Sequence, residues 1–330
     1  MKRKINWGIL GCAKIAERSI IPAIRESRTG VTYGIASRDE KKARMWKDQY
    51  GFITVYPDYE AMLKAPQIDV VYIPLANHLH CEWAIKAARA GKHVMVEKPA
   101  CLTSDEAKKM IDEAKKNKIL LMEAFMYKYH PQTEKIIRII KRGNIGDPLF
   151  FHSAFTFKYN NDPTNYRWDP KMGGGSLYDV GCYTISAARM IFELEPVSVY
   201  ATARIDPKKK VDTSCSLILE FPKGKTAHLD CSFESQFQSY YEVVGPKGTV
   251  KAPRAFSQRM RSVSLETLKG DLFKVVDVPK VNQYAKMIET LNECIRHDKA
   301  LPVKMEDILN NVKVLEAALK SIETGKPVKI

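Results

Sequence analysis

The sequence lacks any apolar run that approaches the ~20 residues needed to cross a bilayer as a helix. The apolar stretch near its start, within MKRKINWGIL, is too short for a signal peptide. These absences argue against a membrane-spanning or secreted protein. We therefore expect a cytoplasmic protein with no membrane partner.

Paired cysteine motifs are also missing. The chain has seven cysteines, an odd number, and none forms a C-x-x-C pair. This usage is typical of reduced, buried thiols rather than of a disulfide framework. His78 and His80 lie next to Cys81, which hints at a metal, but no further ligands follow at zinc spacing. The sequence therefore predicts no metal site.

No single block of basic residues accounts for the formal net charge of +15. The lysines and arginines are spread along the chain, and many lie on amphipathic helical stretches. A solvated helical face explains this distribution better than a nucleic-acid-binding surface does. We expect a small-molecule partner and no nucleic acid.

The length of 330 residues is about twice that of a typical domain, which favours two domains. In the first third, short apolar runs alternate with amphipathic helices, which predicts βαβ units and a parallel sheet. The run VVYIPL at 70–75 suits a strand covered on both faces. A helix is predicted over 104–116, with Ser104 as its N-cap. From 197 to about 278 the chain is strand-like with few helices, which predicts an α+β domain with a largely antiparallel sheet.

A glycine-containing turn links the first predicted strand to the first helix. Gly11, Ala13 and Ala16 hold the three positions of a G-x-G-x-x-G/A motif. Such a turn brings backbone N–H groups at a helix N-terminus to a pyrophosphate. Ala13 adds a methyl group where the phosphates approach, which weakens the match. The motif predicts a dinucleotide site, and the alternative is a purely structural turn.

The end of the second predicted strand bears on which dinucleotide binds. An acid that holds the ribose 2′-hydroxyl commonly stands there, but here Ser37 and Arg38 come first and Asp39 follows. A hydroxyl and a guanidinium suit a 2′-phosphate, and Lys42 adds a charge one turn later. We therefore predict NADP(H) in preference to NAD(H); the alternative is an ordinary surface turn.

Two polar patches contain the candidate reactive groups. Lys98 follows a predicted strand at the carboxyl edge of the sheet, where it can stabilise negative charge on a substrate oxygen. In GGGSLYDVGCY at 173–183, Asp179 and Tyr183 are four residues apart on a predicted helix. A tyrosine beside an ammonium group has a lowered pKa and can exchange protons. The alternative is a core tyrosine and an acid in the first helical turn.

Together these motifs resemble the glucose–fructose oxidoreductase / inositol dehydrogenase (Gfo/Idh/MocA) family over nearly the whole chain. The resemblance rests on GILGCAKIA at 8–16, VYIPLANHLHCEWAIKAARAGKHVMVEKP at 71–99 and YRWDPKMGGGSLYDVGCY at 166–183. It implies an α/β Rossmann domain over 1–124 that binds NADP. It also implies an α+β domain over 125–330 with a large open-faced, mostly antiparallel sheet, which forms a homodimer or homotetramer.

One departure points to a branch of the family, because many members have histidine where this chain has Tyr183. The tyrosine and LMEAFMYKYHP at 121–131 resemble dimeric dihydrodiol dehydrogenases, NADP-dependent xylose dehydrogenases and sugar-nucleotide 3-ketoreductases. The branch implies hydride transfer between nicotinamide and a carbinol or ketone carbon of a sugar, sugar nucleotide or related cyclic polyol. Two other functions stay open: a glycosidase that uses bound NAD in an internal redox cycle, and a non-catalytic dinucleotide sensor.

The resemblance also implies roles for individual residues. Tyr183 exchanges the proton, Lys98 polarises the substrate oxygen, and Asp179 positions sugar hydroxyls or Lys98. His80 lines the nicotinamide pocket or caps the following helix. The predicted cofactor contacts are Gly11, Cys12, Ala13, Lys14, Ile15, Ser37, Arg38, Lys42, Pro74, Leu75, Asn77, His80, Glu97, Lys98, Arg167 and Trp168.

Overall fold

A computed structural model of the chain describes residues 3–159, 164–257 and 262–330. The chain packs into two compact units. The first unit is Met1–Met126 with Tyr284–Leu309, and the second is Tyr127–Gln283 with Asn310–Ile330. In the described part of the chain, no helix has the length and apolar character that a membrane span requires.

The first unit is built on a parallel sheet. Its strands are β1 Ile5–Leu10, β2 Gly30–Ala36, β3 Thr54–Tyr56, β4 Val70–Ile73, β5 His93–Val96 and β6 Leu121–Glu123. They pair in the order β3-β2-β1-β4-β5-β6, which is the order of a doubly wound Rossmann sheet. All four residues of β4 are buried, as its apolar sequence predicts. The order places the loops that follow β1, β4 and β5 side by side at the carboxyl edge.

Five helices connect these strands: α1 Ile21–Glu26, α2 Glu40–Tyr50, α3 Tyr59–Lys64, α4 His80–Arg89 and α5 Ser104–Lys116. A π-helical turn, Ala16–Ile20, precedes α1. The N-cap of α5 is Thr103, whose Oγ1 accepts a hydrogen bond from Glu106 N at 3.2 Å. The choice of Ser104 is therefore wrong by one residue. Threonine and serine both cap helices well, and the sequence does not show which of the two has an extended backbone.

The second unit contains helices α6 Pro131–Lys141 and α7 Cys182–Phe192 and a nine-stranded sheet. Its strands are β7 Phe150–Thr156, β8 Ser198–Ile205, β9 Asp212–Glu220, β10 Thr226–Ser232, β11 Gln238–Gly245, β12 Gly248–Ala252, β13 Val263–Lys269, β14 Leu272–Val278 and β15 Val328–Lys329. The order is β14-β13-β12-β11-β7-β10-β9-β8-β15. β7 and β10 are parallel, and the other described pairs are antiparallel. The predicted α+β fold is thus confirmed, although residues 258–261 of the predicted strand region lie outside the described residues.

One face of this sheet is covered and the other is exposed within the chain. On β9, Leu217 and Leu219 are buried, whereas Ile218 between them is 41% exposed. Phe150 on β7 and Tyr200 on β8 are exposed as well. Helix α7 packs against β7, β10 and β11 on the covered face. The alternation follows from the two-residue side-chain period of a strand.

The last two helices are α8 Gln283–His297 and α9 Glu306–Thr324. Asn292 of α8 accepts a hydrogen bond from Trp7 Nε1 at 3.0 Å and donates to Ser27 Oγ at 3.2 Å. These contacts explain why Tyr284–Leu309 packs with the first unit. The domain boundary at residue 124 that the sequence predicts does not include the packing of Tyr284–Leu309 with the first unit. Trp7 and Asn292 are 285 positions apart, so no local pattern signals it.

Candidate active site

The turn after β1 has the geometry that the motif predicts for a phosphate-binding loop. Gly11 has φ +103°, a conformation that side chains disfavour. A Cβ at Gly11 would also lie 3.1 Å from Leu75 Cδ2 and 3.3 Å from the Tyr59 hydroxyl. The turn therefore requires glycine and allows a close approach of the backbone, which fits a pyrophosphate. Of the residues that follow, Lys14 is exposed, and Cys12, Ala13 and Ile15 are half-buried.

The loop after β2 brings polar groups to that turn. Lys42 Nζ donates to the carbonyl oxygen of Cys12 at 3.1 Å. Asp39 is the N-cap of α2, with its Oδ1 accepting from Lys42 N at 3.0 Å. Ser37 Oγ accepts from Asp39 N at 3.1 Å, and Arg38 is exposed beside them. The carboxylate of Asp39 is thus used to start a helix.

The turn that contains Lys98 is anchored on both sides. Before it, Glu97 Oε1 accepts from the hydroxyl of buried Tyr72 on β4 at 2.5 Å. After it, Ala100 N donates to Glu123 Oε1 of β6 at 2.8 Å. Lys98 itself is half-buried directly after β5, at the edge where its position in the sequence predicts it.

His80 connects the loops that follow β4 and β5. Its Nδ1 lies 2.9 Å from the carbonyl oxygen of Pro99, and its Nε2 lies 2.9 Å from that of Leu75. Two carbonyl acceptors favour a protonated ring, whereas complete burial favours a neutral one. Burial is the larger effect, and with nearby Lys98 it lowers the pKa of His80 to about 4. The ring is therefore neutral at physiological pH.

The same loops hold the other predicted contacts. Pro74 and Asn77 are buried, and Asn77 begins a 3₁₀ turn that leads into α4. In the residues that the structure describes, no group of three or more His, Cys, Asp or Glu side chains is arranged to hold a metal ion. All seven cysteines are free thiols, and all but half-buried Cys12 are buried.

In the second unit, Asp179 holds Arg167. The guanidinium donates to both carboxylate oxygens, from Nε at 2.8 Å and from Nη2 at 3.0 Å. Burial opposes the charge on Arg167, but the carboxylate outweighs it and raises the pKa of the guanidinium. The guanidinium also lies 4.9 Å from the Tyr166 ring and 5.6 Å from the Tyr159 ring. Trp168 joins this aromatic cluster through Tyr159, at 5.6 Å between ring centroids.

Tyr183 lies among aromatic rings in the same unit. Its ring centroid is 5.9 Å from Tyr127, 5.2 Å from Phe155 and 5.6 Å from Phe256, and the side chain is buried. Residues Leu177–Gly181, which include Asp179, form a π-helical turn before α7. Such turns are frequent at functional sites. Asp179 contacts Arg167, whereas Tyr183 lies among aromatic rings. The two side chains therefore have different neighbours, although their four-residue spacing predicts a shared face on a regular α-helix.

Two glycines fix this helix start. Gly175 has φ +104°, and a Cβ there would overlap Asp212 Oδ1. Asp212 in turn accepts from Ser176 Oγ and Leu177 N, each at 2.7 Å. A Cβ at Gly181 would lie 3.1 Å from Cys231 Sγ, so the lack of a side chain at Gly181 lets Cys231 of β10 pack closely.

Sequence reasoning did not find the Arg167–Asp179 pair, the aromatic surroundings of Tyr183 or the anchoring by Tyr72 and Glu123. Each joins residues far apart in the sequence. The available signal was weak: an acid stands at the end of one strand in LME and directly after another in VEKP, and aromatic residues recur around 155–168.

Comparisons with known proteins identify the family. Residues 5–125 match an oxidoreductase family with an NAD-binding Rossmann fold, and residues 133–251 match the GFO/IDH/MocA C-terminal domain. The chain is 35% identical over 325 residues to D-xylose 1-dehydrogenase (NADP(+)) 2 from Haloferax volcanii, covering 98% of this chain and 99% of that protein.

Two solved structures are similar over nearly the full length. Aldose–aldose oxidoreductase from Caulobacter crescentus, complexed with glycerol, matches with a TM-score of 0.93 and 29% identity, covering 99% of this chain and 100% of that one. A 3-ketoreductase from Actinomadura kijaniata, in complex with NADP and TDP-benzene, matches with a TM-score of 0.91 and 29% identity, covering 97% and 98%. The resemblance carried by the motifs is confirmed, and the chain belongs to the GFO/IDH/MocA family of oxidoreductases.

Proposed function

We propose that this protein transfers hydride between NADP(H) and a carbinol or ketone carbon of a sugar, sugar nucleotide or related cyclic polyol. The observation that carries the proposal is the carboxyl edge of the parallel sheet. There, the glycine turn after β1 and Lys98 after β5 flank β4. The names of the similar xylose dehydrogenase and ketoreductase support the substrate class.

The preference for NADP(H) rests on the loop after β2. Asp39, the nearest acid, caps α2 through Lys42 N. Ser37, Arg38 and Lys42 then remain as partners for a 2′-phosphate, and Arg38 is exposed. A guanidinium and an ammonium group favour a phosphate over a neutral hydroxyl.

The bound nicotinamide would supply or accept the hydride. Lys98 would donate a hydrogen bond to the substrate oxygen and stabilise its developing negative charge. Tyr183 would give a proton to that oxygen in reduction and take one in oxidation. Asp179 would act through Arg167, whose guanidinium it holds by two hydrogen bonds. Arg167 and Trp168 would then border the cofactor.

The test is a screen of NADPH formation and consumption with aldoses, dihydrodiols and sugar-nucleotide ketones. Lys98→Ala should lower kcat about 10²–10³-fold, and Tyr183→Phe about 10²–10⁴-fold. Lys109→Ala, on the exposed face of α5, and Tyr33→Phe, on β2, are matched controls that should retain activity. Glycoside hydrolysis with NAD retained through purification would support the glycosidase instead. Binding of NADP without turnover of any substrate would support a sensor.

We also propose that the exposed face of the nine-stranded sheet joins two or four copies of the chain. Phe150, Tyr200 and Ile218 are exposed on β7, β8 and β9 of one sheet. Large apolar side chains on one sheet face are typical of an interaction surface. Light scattering of the purified protein should give the mass of a dimer or tetramer, and a monomer at micromolar concentration would contradict this assembly.

A further inference from the structure

His80 links two turns at the carboxyl edge of the parallel sheet. Each of its ring nitrogens lies 2.9 Å from a carbonyl oxygen, Nδ1 from Pro99 and Nε2 from Leu75. The side chain is fully buried, so water does not compete for these contacts. His80 is the first residue of α4.

The contact with Pro99 bears on Lys98. Proline has no N–H, so its carbonyl is the main-chain group through which this position can be held. The next N–H, that of Ala100, is bound by Glu123 at 2.8 Å. The Nδ1 contact therefore fixes the direction in which the chain leaves Lys98.

The contact with Leu75 bears on the phosphate turn. Leu75 Cδ2 lies 3.1 Å from the place that a Cβ on Gly11 would occupy, so the leucine packs against that turn. The carbonyl of the same residue is the one that His80 Nε2 contacts. A shift of Leu75 would therefore disturb the phosphate turn.

We infer that His80 is a positioning residue with two alternative and separable contacts: when Nδ1 carries the proton it donates to the Pro99 carbonyl and holds Lys98 for turnover, and when Nε2 carries it the ring donates to the Leu75 carbonyl and holds the phosphate turn for cofactor binding. The inference rests on the proposed function, because it takes Lys98 as a residue that acts on the substrate. A neutral imidazole carries one N–H and donates to one carbonyl at a time. Neutral amides can therefore replace its two contacts one at a time.

The test compares His80→Asn with His80→Gln in the full chain. The asparagine amide can occupy the place of Nδ1 and keep the Pro99 contact, whereas the glutamine amide can occupy that of Nε2 and keep the Leu75 contact. We expect His80→Asn to weaken NADPH binding about tenfold, measured by NADPH fluorescence, and to lower kcat less than about threefold. His80→Gln should lower kcat about tenfold and change NADPH affinity less than about threefold.

A double-mutant cycle identifies the route of the effect. If His80 acts through Lys98, His80→Gln should lower kcat by less than about twofold further in a Lys98→Ala background. An unchanged tenfold loss in that background would overturn the inference. Equal losses of affinity and kcat in both single variants would also overturn it, because they indicate a merely structural role.

Hydrogen exchange separates a failure of this inference from a failure of the proposed function. Exchange of the Ala100 and Leu102 amides should rise in His80→Gln only, and exchange in Asn77–Leu79 should rise in His80→Asn only. If this pattern appears while Lys98→Ala retains full activity, the two contacts stand and the proposed role of Lys98 fails. If the pattern is absent, the two-contact inference fails whatever the activity.

Discussion

The six-stranded sheet buries both faces, whereas the nine-stranded sheet buries one face and exposes the other. β4, with the sequence VVYI, is buried at every position, but β9 alternates between buried and exposed residues along most of its length. In the first unit, polar groups are therefore concentrated in the loops at strand ends. In the second, they come from the turns and helix that cover one face, including the Arg167–Asp179 pair. A polar residue directly after a strand therefore points to the candidate site in the first unit. In the second unit, the polar residues of the candidate site lie on the segments that cover the sheet.

The largest expected effect comes from placing a charge in each sheet. Val71→Asp puts a carboxylate at a position that is 0% exposed, at a cost of about 4 kcal/mol or more. That is a large part of a typical stability of about 5–15 kcal/mol, so we expect little folded protein. Ile218→Asp, at a position 41% exposed, should keep the circular dichroism spectrum of the folded protein and dissociate the proposed oligomer. Equal unfolding by both substitutions would contradict the difference between the sheets.

The next effect concerns one buried histidine in each unit. Burial lowers the pKa of His80 and of His130 from 6.5 to about 4. The unfolded chain then binds protons at a higher pH than the folded protein does. Stability is therefore fully present above about pH 6.5 and is lost as the pH falls toward 4, by about 1.4 kcal/mol per pH unit for each histidine.

Urea unfolding measured across this pH window checks the prediction. His130 Nδ1 accepts from Gln132 N at 3.0 Å and caps α6, and an asparagine oxygen can accept the same bond. His130→Asn should therefore flatten the pH dependence without losing the cap. An unchanged slope would show that His130 does not titrate in this range.

A smaller effect, on the KM for the cofactor, is expected from the loop after β2 in the first unit. Arg38→Ala should raise the KM for NADP+ about tenfold or more, because it removes a charged partner of the 2′-phosphate, and should leave the KM for NAD+ nearly unchanged. Lys41→Ala, exposed on the same helix as Lys42, is the matched control. Equal changes for both dinucleotides would contradict the assignment of the phosphate to this loop.

The smallest effect distinguishes two adjacent helix caps. Thr103→Ala should lower the free energy of unfolding by about 1 kcal/mol, because it removes the acceptor for Glu106 N. Ser104→Ala, at the first residue of α5, should change the free energy of unfolding by only about a few tenths of a kcal/mol. Thermal melts of the two variants decide between them, and the reverse order would restore Ser104 as the cap.

The sequence predicted the elements whose signals are local. The parallel sheet followed from apolar runs that alternate with helical periodicity, and the phosphate turn from Gly11 at the end of β1. Lys98 at the sheet edge followed from its place directly after an apolar strand. These inferences need only neighbouring residues.

The missed features depend on contacts between distant residues. The partner of Asp179 is Arg167, twelve positions earlier, and nothing in their spacing indicates that they meet. The two contacts of His80 involve carbonyl groups, which every residue has, so side-chain patterns do not reveal them. The π-helical turn at Leu177–Gly181 has no periodicity that separates it from an α-helix over so short a length.

The return of Tyr284–Leu309 to the first unit has a consequence for the order of folding. Asn292 accepts a hydrogen bond from Trp7 on β1, and Glu289 accepts one from Ser27 after α1, so the cofactor-binding unit gains these contacts only after residues 289–292 have been synthesised. When synthesis has passed Met126, every strand of the parallel sheet is present, but Asn292 and Glu289 are not. The indole N–H of Trp7 would then lack Asn292 as its acceptor. The nascent unit therefore lacks these two contacts until α8 has emerged.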